Sequence, residues 1–201
     1  MARATKSDLD ENASYLEGQM LIAMPTMGDP RFERSVIFVC AHSEDGAMGI
    51  VVNKHLSGID FPDLLEQLDI DTAASPGVDL QNQKIHFGGP VETARGFVLH
   101  SADYHSEASS MVINDAFSLT ATVDILKNIA SGDGPDKALL ALGYAGWSAG
   151  QLESEIRANG WLNCDSDAEL LFNTDIERIY EAALGKIGVD PSFLSGEAGH
   201  A

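Results

Sequence analysis

The sequence predicts one α/β domain in which strands outnumber helices. Three observations predict it. The 201 residues contain no repeat, low-complexity block or linker that would divide them. Short apolar runs rich in β-branched and aromatic residues recur along the first two thirds of the chain. A single stretch, Ala138 to Leu162, reads as a buried strand, a glycine-rich turn and a helix with both ends marked.

In chain order, residues 1 to about 17 are polar, charged and without period, as expected of a tail. Met20 to Met24 follows as a first buried strand. Pro25 to Pro30, with two prolines and a glycine, must be a loop. Ser35 to Cys40 is a second strand, Ser43 to Gly46 a turn and Met48 to Asn53 a third strand, together a hairpin. Asp60 stands at a cap position before Pro62, and Phe61, Leu64, Leu65 and Leu68 form one apolar stripe of a helix. Asp71 to Gln83 reads as a loop.

Lys84 to Phe87 begins a strand that Gly88-Gly89-Pro90 must stop, and Gly96 to His100 is another. Met111 to Ile113 and Phe117 to Leu119 are short strands around Asn114 and Asp115. Val123, Leu126 and Ile129 mark a helix that ends before Gly132-Asp133-Gly134-Pro135.

In the long stretch, Ala138 to Tyr144 fits a strand buried on both faces. Ser148 stands three residues before Gln151, the spacing of a reciprocal capping box, so a helix should begin at about Ala149. Gly160 should supply the left-handed residue that ends it, with Trp161 and Leu162 folding back as an apolar clasp. Leu170 to Phe172 reads as a short strand. Thr174 and Glu177 form a second capping box opening a helix through Lys186 that Gly188 closes, and residues 189–201 read as a second tail.

Composition bounds the function. A chain of this length can bury about 70% of its unfolded surface in one core. No apolar run approaches the ~18 residues of a membrane span, and the N-terminus lacks the apolar core of a signal peptide, so a cytoplasmic protein is expected. Asp and Glu outnumber Lys and Arg 31 to 12, for a net charge of −19. Such a surface repels phosphate backbones unless it carries a local basic patch, and none is visible; direct nucleic-acid binding is therefore disfavoured. Cys40 and Cys164 are far apart and belong to no C-x-x-C pair.

Gly143, Gly146 and Gly150 precede a helix start, the physical basis of an anion cradle. Their spacing matches neither dinucleotide nor P-loop fingerprints and no lysine follows, so tight strand-to-helix packing is the favoured role. Gly146-Trp147-Ser148-Ala149-Gly150 is a literal G-x-S-x-G, the hydrolase nucleophile elbow. The downstream order of acid and histidine fails, because His200 alone follows Ser148. His100, Asp103 and His105 match no standard zinc spacing. No catalytic residue, metal or cofactor is assigned.

The segments GQMLIAMPTMGDPRFERSVIFVCAHSEDGAMGIVVNK, IHFGGPVETARGFVLH and GYAGWSAGQLESEIRANGWL together resemble the YqgE/AlgH family of bacterial proteins, over most of residues 18 to 188. The resemblance implies a single compact α/β (α+β mixed) domain whose strongly bent, branched sheet forms a partial barrel with helices around it. It implies no established activity, and the label of transcriptional regulator that members carry is not a mechanism. His55 stands where the family pattern usually has proline, and Tyr180 where tryptophan is common. The family's counterpart of Ser148 is often glycine or alanine, which weakens its claim to be a nucleophile and favours a cap or plain turn role.

The leading expectation is a non-enzymatic protein that works through a protein partner or a small anionic ligand. A pocket is expected where the Gly146 to Gly150 turn meets the strand ends at Asn53 and His100, with Asn53, His100, Gly146, Ser148 and Gly150 as its residues. A small-molecule hydrolase using the same turn is the alternative, and a DNA-binding regulator the third.

Overall fold

The computed structural model describes residues 15–71, 78–106 and 109–194. The tail expected before residue 15, part of the Asp71 to Gln83 loop and the end of the chain after residue 194 lie outside the described residues. Nine strands form one sheet: β1 Gln19–Ala23, β2 Val36–Ser43, β3 Gly46–Val51, β4 Ile85–Phe87, β5 Val91–Ser101, β6 Ser110–Val112, β7 Phe117–Thr120, β8 Ala138–Ser148 and β9 Trp161–Asp165. Among the described residues four α-helices surround it: α1 Phe61–Gln67, α2 Val123–Ser131, α3 Gln151–Arg157 and α4 Ile179–Lys186. The architecture is a mixed α+β single domain with a curled, largely antiparallel half-barrel sheet.

The strand order is β6-β7-β5-β8-β3-β2-β1-β9, and β4 stands off this path. The branch lies at β8. Its first half pairs antiparallel with β5 on one edge and parallel with β4 on the other, through Leu140 opposite Ile85. Its second half pairs with β3, Gly146 opposite Met48. The chain after β3 hydrogen-bonds the far side of β4, through Phe87 N–H to Lys54 O and Leu56 N–H to Ile85 O, both 2.9 Å. Strands β3 and β8 therefore meet at one end and splay around β4 at the other.

Gly143 makes this possible. It adopts φ +74°, and a Cβ there would lie 2.3 Å from the Gly89 carbonyl oxygen. Gly88 and Gly89 cross against the same backbone so closely that their own Cβ atoms would fall 2.2 Å from the Gly143 oxygen and 2.1 Å from the Tyr144 carbonyl carbon. The left-handed residue also resets the pleat. Before it, Leu139 and Ala141 enter the main core with Met20, Phe38 and Leu99, while Leu140 and Leu142 join the cluster under α1 and α2. After it, Tyr144 faces the main core, and Ala145 and Trp147 pack under α3. Strand β2 shifts register between Val39 and Ala41, and β5 between Val91 and Gly96, so the bend is built from irregularities on three strands.

Both faces of β1 and β2 are covered. Met20, Ile22 and Phe38 enter the main core, and Leu21, Ile37 and Val39 the one beneath α3. That is why these strands read as continuous apolar runs.

The hairpin, α1 and α2 form where the sequence places them. Asp60 accepts from Asp63 N–H at 2.8 Å, and Gly132 ends α2 at φ +85°. Six local expectations are corrected. Strand β8 runs through its glycines to Ser148, because Gly146 is a ladder residue opposite Met48 and not part of a turn. Helix α3 starts at Gln151 after Gly150, at φ +71°, with no side-chain cap on the N–H groups of its first turn. Asn159, at φ +56°, is the left-handed residue that ends it, and Gly160 is not. Trp161 opens β9 against β1 and is no clasp. Leu170 to Phe172 lies in a π-helical turn, Glu169–Asn173, since Asp167 accepts from Leu170 N–H at 2.7 Å and both Leu170 and Leu171 are buried. Thr174 closes that turn by donating to Glu169 O at 2.9 Å, so it caps no helix and α4 begins at Ile179.

Candidate functional site

The Gly143 crossing leaves a groove beside it. One wall is the β2–β3 hairpin tip with Ser43 and Asp45, and the other is the segment with Glu92 and Arg95 that bulges from β5. Met48, Phe97 and Tyr144 make the floor. The volume is about 610 Å³. The Phe97 and Tyr144 rings meet edge to face at 5.7 Å, and the Arg95 guanidinium lies 5.1 Å from the Phe97 centroid. Glu92 holds φ +46°, a conformation that costs a residue with a Cβ about 1–2 kcal/mol, and its carboxylate accepts from Arg95 at 3.2 Å. Val91, Gly146 and Trp147 also line a separate hollow of about 210 Å³ between the Asp29 to Phe32 loop and α3.

That hollow carries a polar network. Trp147 and Trp161 both donate indole N–H to Glu155 Oε2, at 2.9 and 2.8 Å. Gln151 donates to Glu155 Oε1 at 2.9 Å, while its own oxygen accepts from the Ser148 N–H and hydroxyl, each at 3.0 Å. The returning half of the expected capping box is thus present. The forward half is absent: the Ser148 hydroxyl donates to a side chain and accepts no helix N–H. Across the hollow Asp29 binds the Arg31 guanidinium through both oxygens, and this fork holds the carboxyl below its usual range.

Gly146 lines the groove, and Ser148 and Gly150 sit just past its end, with nothing within 4 Å of a Cβ built on Gly150. Asn53 and His100 do not join them. Asn53 is a clamp: its oxygen accepts from Val36 N–H at 2.7 Å, and its amide donates to Arg34 O at 2.8 Å. His100 lies opposite Ala138, and Ser148 is at the other end of the same strand, about 30 Å away at ~3.3 Å per residue. The His100 ring is buried, with one nitrogen on Ser101 O and the other on Thr120 Oγ1, both 2.9 Å. Burial holds it below the usual histidine range.

Nor does the G-x-S-x-G stretch build an elbow. Ser148 ends an extended strand and pairs across the ladder with Gly46, whereas His42 pairs with Ala47, one residue away and therefore on the opposite face. His42 is occupied as well. Leu16 N–H donates to Nδ1 at 3.1 Å, so Nε2 carries the proton and faces Glu153 at 3.0 Å. Among the described residues no hydrogen bond links Ser148 to a histidine, and no group of three His, Cys, Asp or Glu is placed to hold a metal ion.

Sequence reasoning missed Glu92, Arg95, Phe97, Tyr144 and Glu155. The groove and the hollow together draw on the stretches at 27–32, 43–48, 90–97 and 144–155, and only the sheet topology brings them together. One signal was available: Glu155 lies eight residues after Trp147 and six before Trp161, at opposite ends of one short helix.

Fold and site define a single-domain protein with a half-barrel sheet branched at a glycine crossing and a groove beside the branch. The AlgH-like family profile (DUF179) matches residues 20–192, and the chain belongs to that family. A UPF0301 protein of Bradyrhizobium diazoefficiens is 56% identical over 202 residues, covering 99% of this chain and 94% of the relative. One from Rhodopseudomonas palustris is 58% identical, with 95% and 89% covered. The solution structure of the AlgH protein from Pseudomonas aeruginosa superposes with a TM-score of 0.73 at 41% identity, covering 100% of both chains. A crystal structure of a Corynebacterium diphtheriae protein shares the fold alone, with a TM-score of 0.60 at 19% identity, over 88% of this chain and 86% of that one. No helix among the described residues is long and apolar enough to cross a membrane.

Proposed function

We propose that this is a non-catalytic binding protein of the cytoplasm whose recognition surface is the groove around Gly146, and that the groove takes a segment of a protein partner. The observation that supports it most is the convergence of three distant stretches, residues 41–48, 91–97 and 144–147, on one open, aromatic-floored trough of about 610 Å³. Its charge balance favours a partner segment over a small anion. Asp29, Asp45, Glu92 and Glu155 face Arg31 and Arg95, and both guanidiniums are already paired with carboxylates of their own segments. A regulatory role would then run through the partner and not through DNA, since a net charge of −19 opposes contact with phosphates.

Charge reversal on the rim tests the reading. Asp45 and Glu92 are replaced together by Lys, and proteins cross-linked to the full chain are quantified against wild type. A defined set of proteins lost from the variant, with unchanged melting temperature, supports the groove. Retention of the same set removes it. Ester turnover abolished by Ser148→Ala would replace it with the hydrolase reading.

A further inference from the structure

A second cavity, of about 240 Å³, lies at the π-helical turn, by Ala138 and Leu139 at the opposite end of β8 from the groove's hairpin wall. Asn82, Lys84 and His86 approach it from the β4 side, and Leu171, Phe172 and Asp175 from the turn and the segment after it. Leu139 and Ile179 deepen its apolar floor. At ~30 Å³ per water it holds the equivalent of about eight waters, too small for a nucleotide and sufficient for a ligand of about ten heavy atoms.

His86 is the informative residue. Its Nδ1 lies 2.9 Å from the carbonyl oxygen of Val52. A carbonyl can only accept, so Nδ1 carries the proton, and the neutral ring presents a bare lone pair at Nε2. Among the described residues Nε2 has no hydrogen-bond partner, and the ring is half-buried at the cavity wall. An oriented acceptor with its tautomer fixed from behind is the arrangement that recognises a ligand N–H or O–H. The π-helical turn is a second, independent feature, because such turns interrupt regular helix geometry and recur at functional sites.

We propose that this cavity is a ligand site for a small amphipathic molecule with the charge pattern of an apolar α-amino acid. Its ammonium lies between His86 Nε2 and Asp175, its carboxylate is on Lys84, and its side chain rests against Leu171, Phe172 and Ile179. The site is independent of the groove reading. It uses none of the groove's residues.

The test uses the ¹⁵N-labelled full chain at pH 7. A long-range ¹H–¹⁵N spectrum reports the tautomer of His86, and L-leucine and L-phenylalanine are titrated to 20 mM. The expected result is an unprotonated Nε2 whose resonance moves on titration, with amide shifts confined to Leu171 to Ile176 and the strand at His86. Lys84→Ala, an exposed substitution, should weaken the response at least tenfold. His86→Gln, which keeps a donor for Val52, should abolish it. A protonated Nε2 in the free protein, no saturable shift with either amino acid, or an equal response in Lys84→Ala overturns the proposal. Shifts centred on Gly146 and Trp147 would also overturn it while leaving the groove standing.

Discussion

The indole N–H groups of Trp147 and Trp161 converge on one oxygen of Glu155. The two rings stand edge to face at 5.9 Å and 77°. Helix α3 is thereby tied to β8 and β9 at once, and the short helix depends on this knot as much as on its own hydrogen bonds. Leu152 is its one buried side chain.

Glu155→Ala should cost about 2–4 kcal/mol, because two buried indole donors lose a charged acceptor. Glu155→Gln should cost about half as much, since one acceptor oxygen remains. Urea unfolding followed by tryptophan fluorescence measures both; equal, sub-kilocalorie losses would mean that the indoles find other partners.

Gly143 and Gly150 share a left-handed backbone and differ in their surroundings. Gly150→Ala should cost about 1–2 kcal/mol, the strain of the conformation alone. Gly143→Ala adds a Cβ 2.3 Å from the Gly89 oxygen, so it should cost more than about 3 kcal/mol or prevent folding. Denaturant midpoints of the two variants, compared with wild type, decide whether the crossing is as tight as described.

Burial, partly offset by the hydrogen bond to Val52 and reinforced by the positive charges of His55 and Lys84, lowers the His86 imidazole to about 4. The unfolded chain, with an ordinary histidine near 6.5, binds the proton first. Stability from this group is therefore full above about pH 6.5 and lost as the pH falls towards 4, a total of about 3 kcal/mol. Chemical denaturation at half-unit pH steps should show this slope in wild type and its flattening in His86→Gln. The depressed carboxyls of Asp29 and Asp167 add their own loss at lower pH.

Ser148→Ala removes one exposed hydroxyl that donates to Gln151. The expected change is below about 1 kcal/mol, by thermal or urea unfolding. Wild type should show no fluorophosphonate labelling at Ser148, as no base stands beside it; stoichiometric labelling would contradict the geometry.

The proposed cytoplasmic location is a separate question from these energies. Fractionation of cells expressing the untagged chain answers it, with recovery in the membrane or periplasmic fraction as the contrary result.

What the sequence alone determined is local. Asp60 and Pro62 set the start of α1, Gly132 the end of α2, and the β-branched runs of Val36 to Val39 and Ile50 to Val52 the central strands, because capping, turn chemistry and apolar patterning act between residues a few positions apart. The family resemblance added the bent, branched sheet. Tertiary structure decided the rest. Gly146 could not be recognised as a strand residue until Met48 lay opposite it, nor Gly143 as the crossing point until Gly88 and Gly89 were pressed against it. Pairing partners 50 to 100 residues apart fix those positions. The groove exists because three strands bulge at neighbouring rows, and His100, a strand-end histidine like any other in the sequence, was carried to the far end of β8 by register alone.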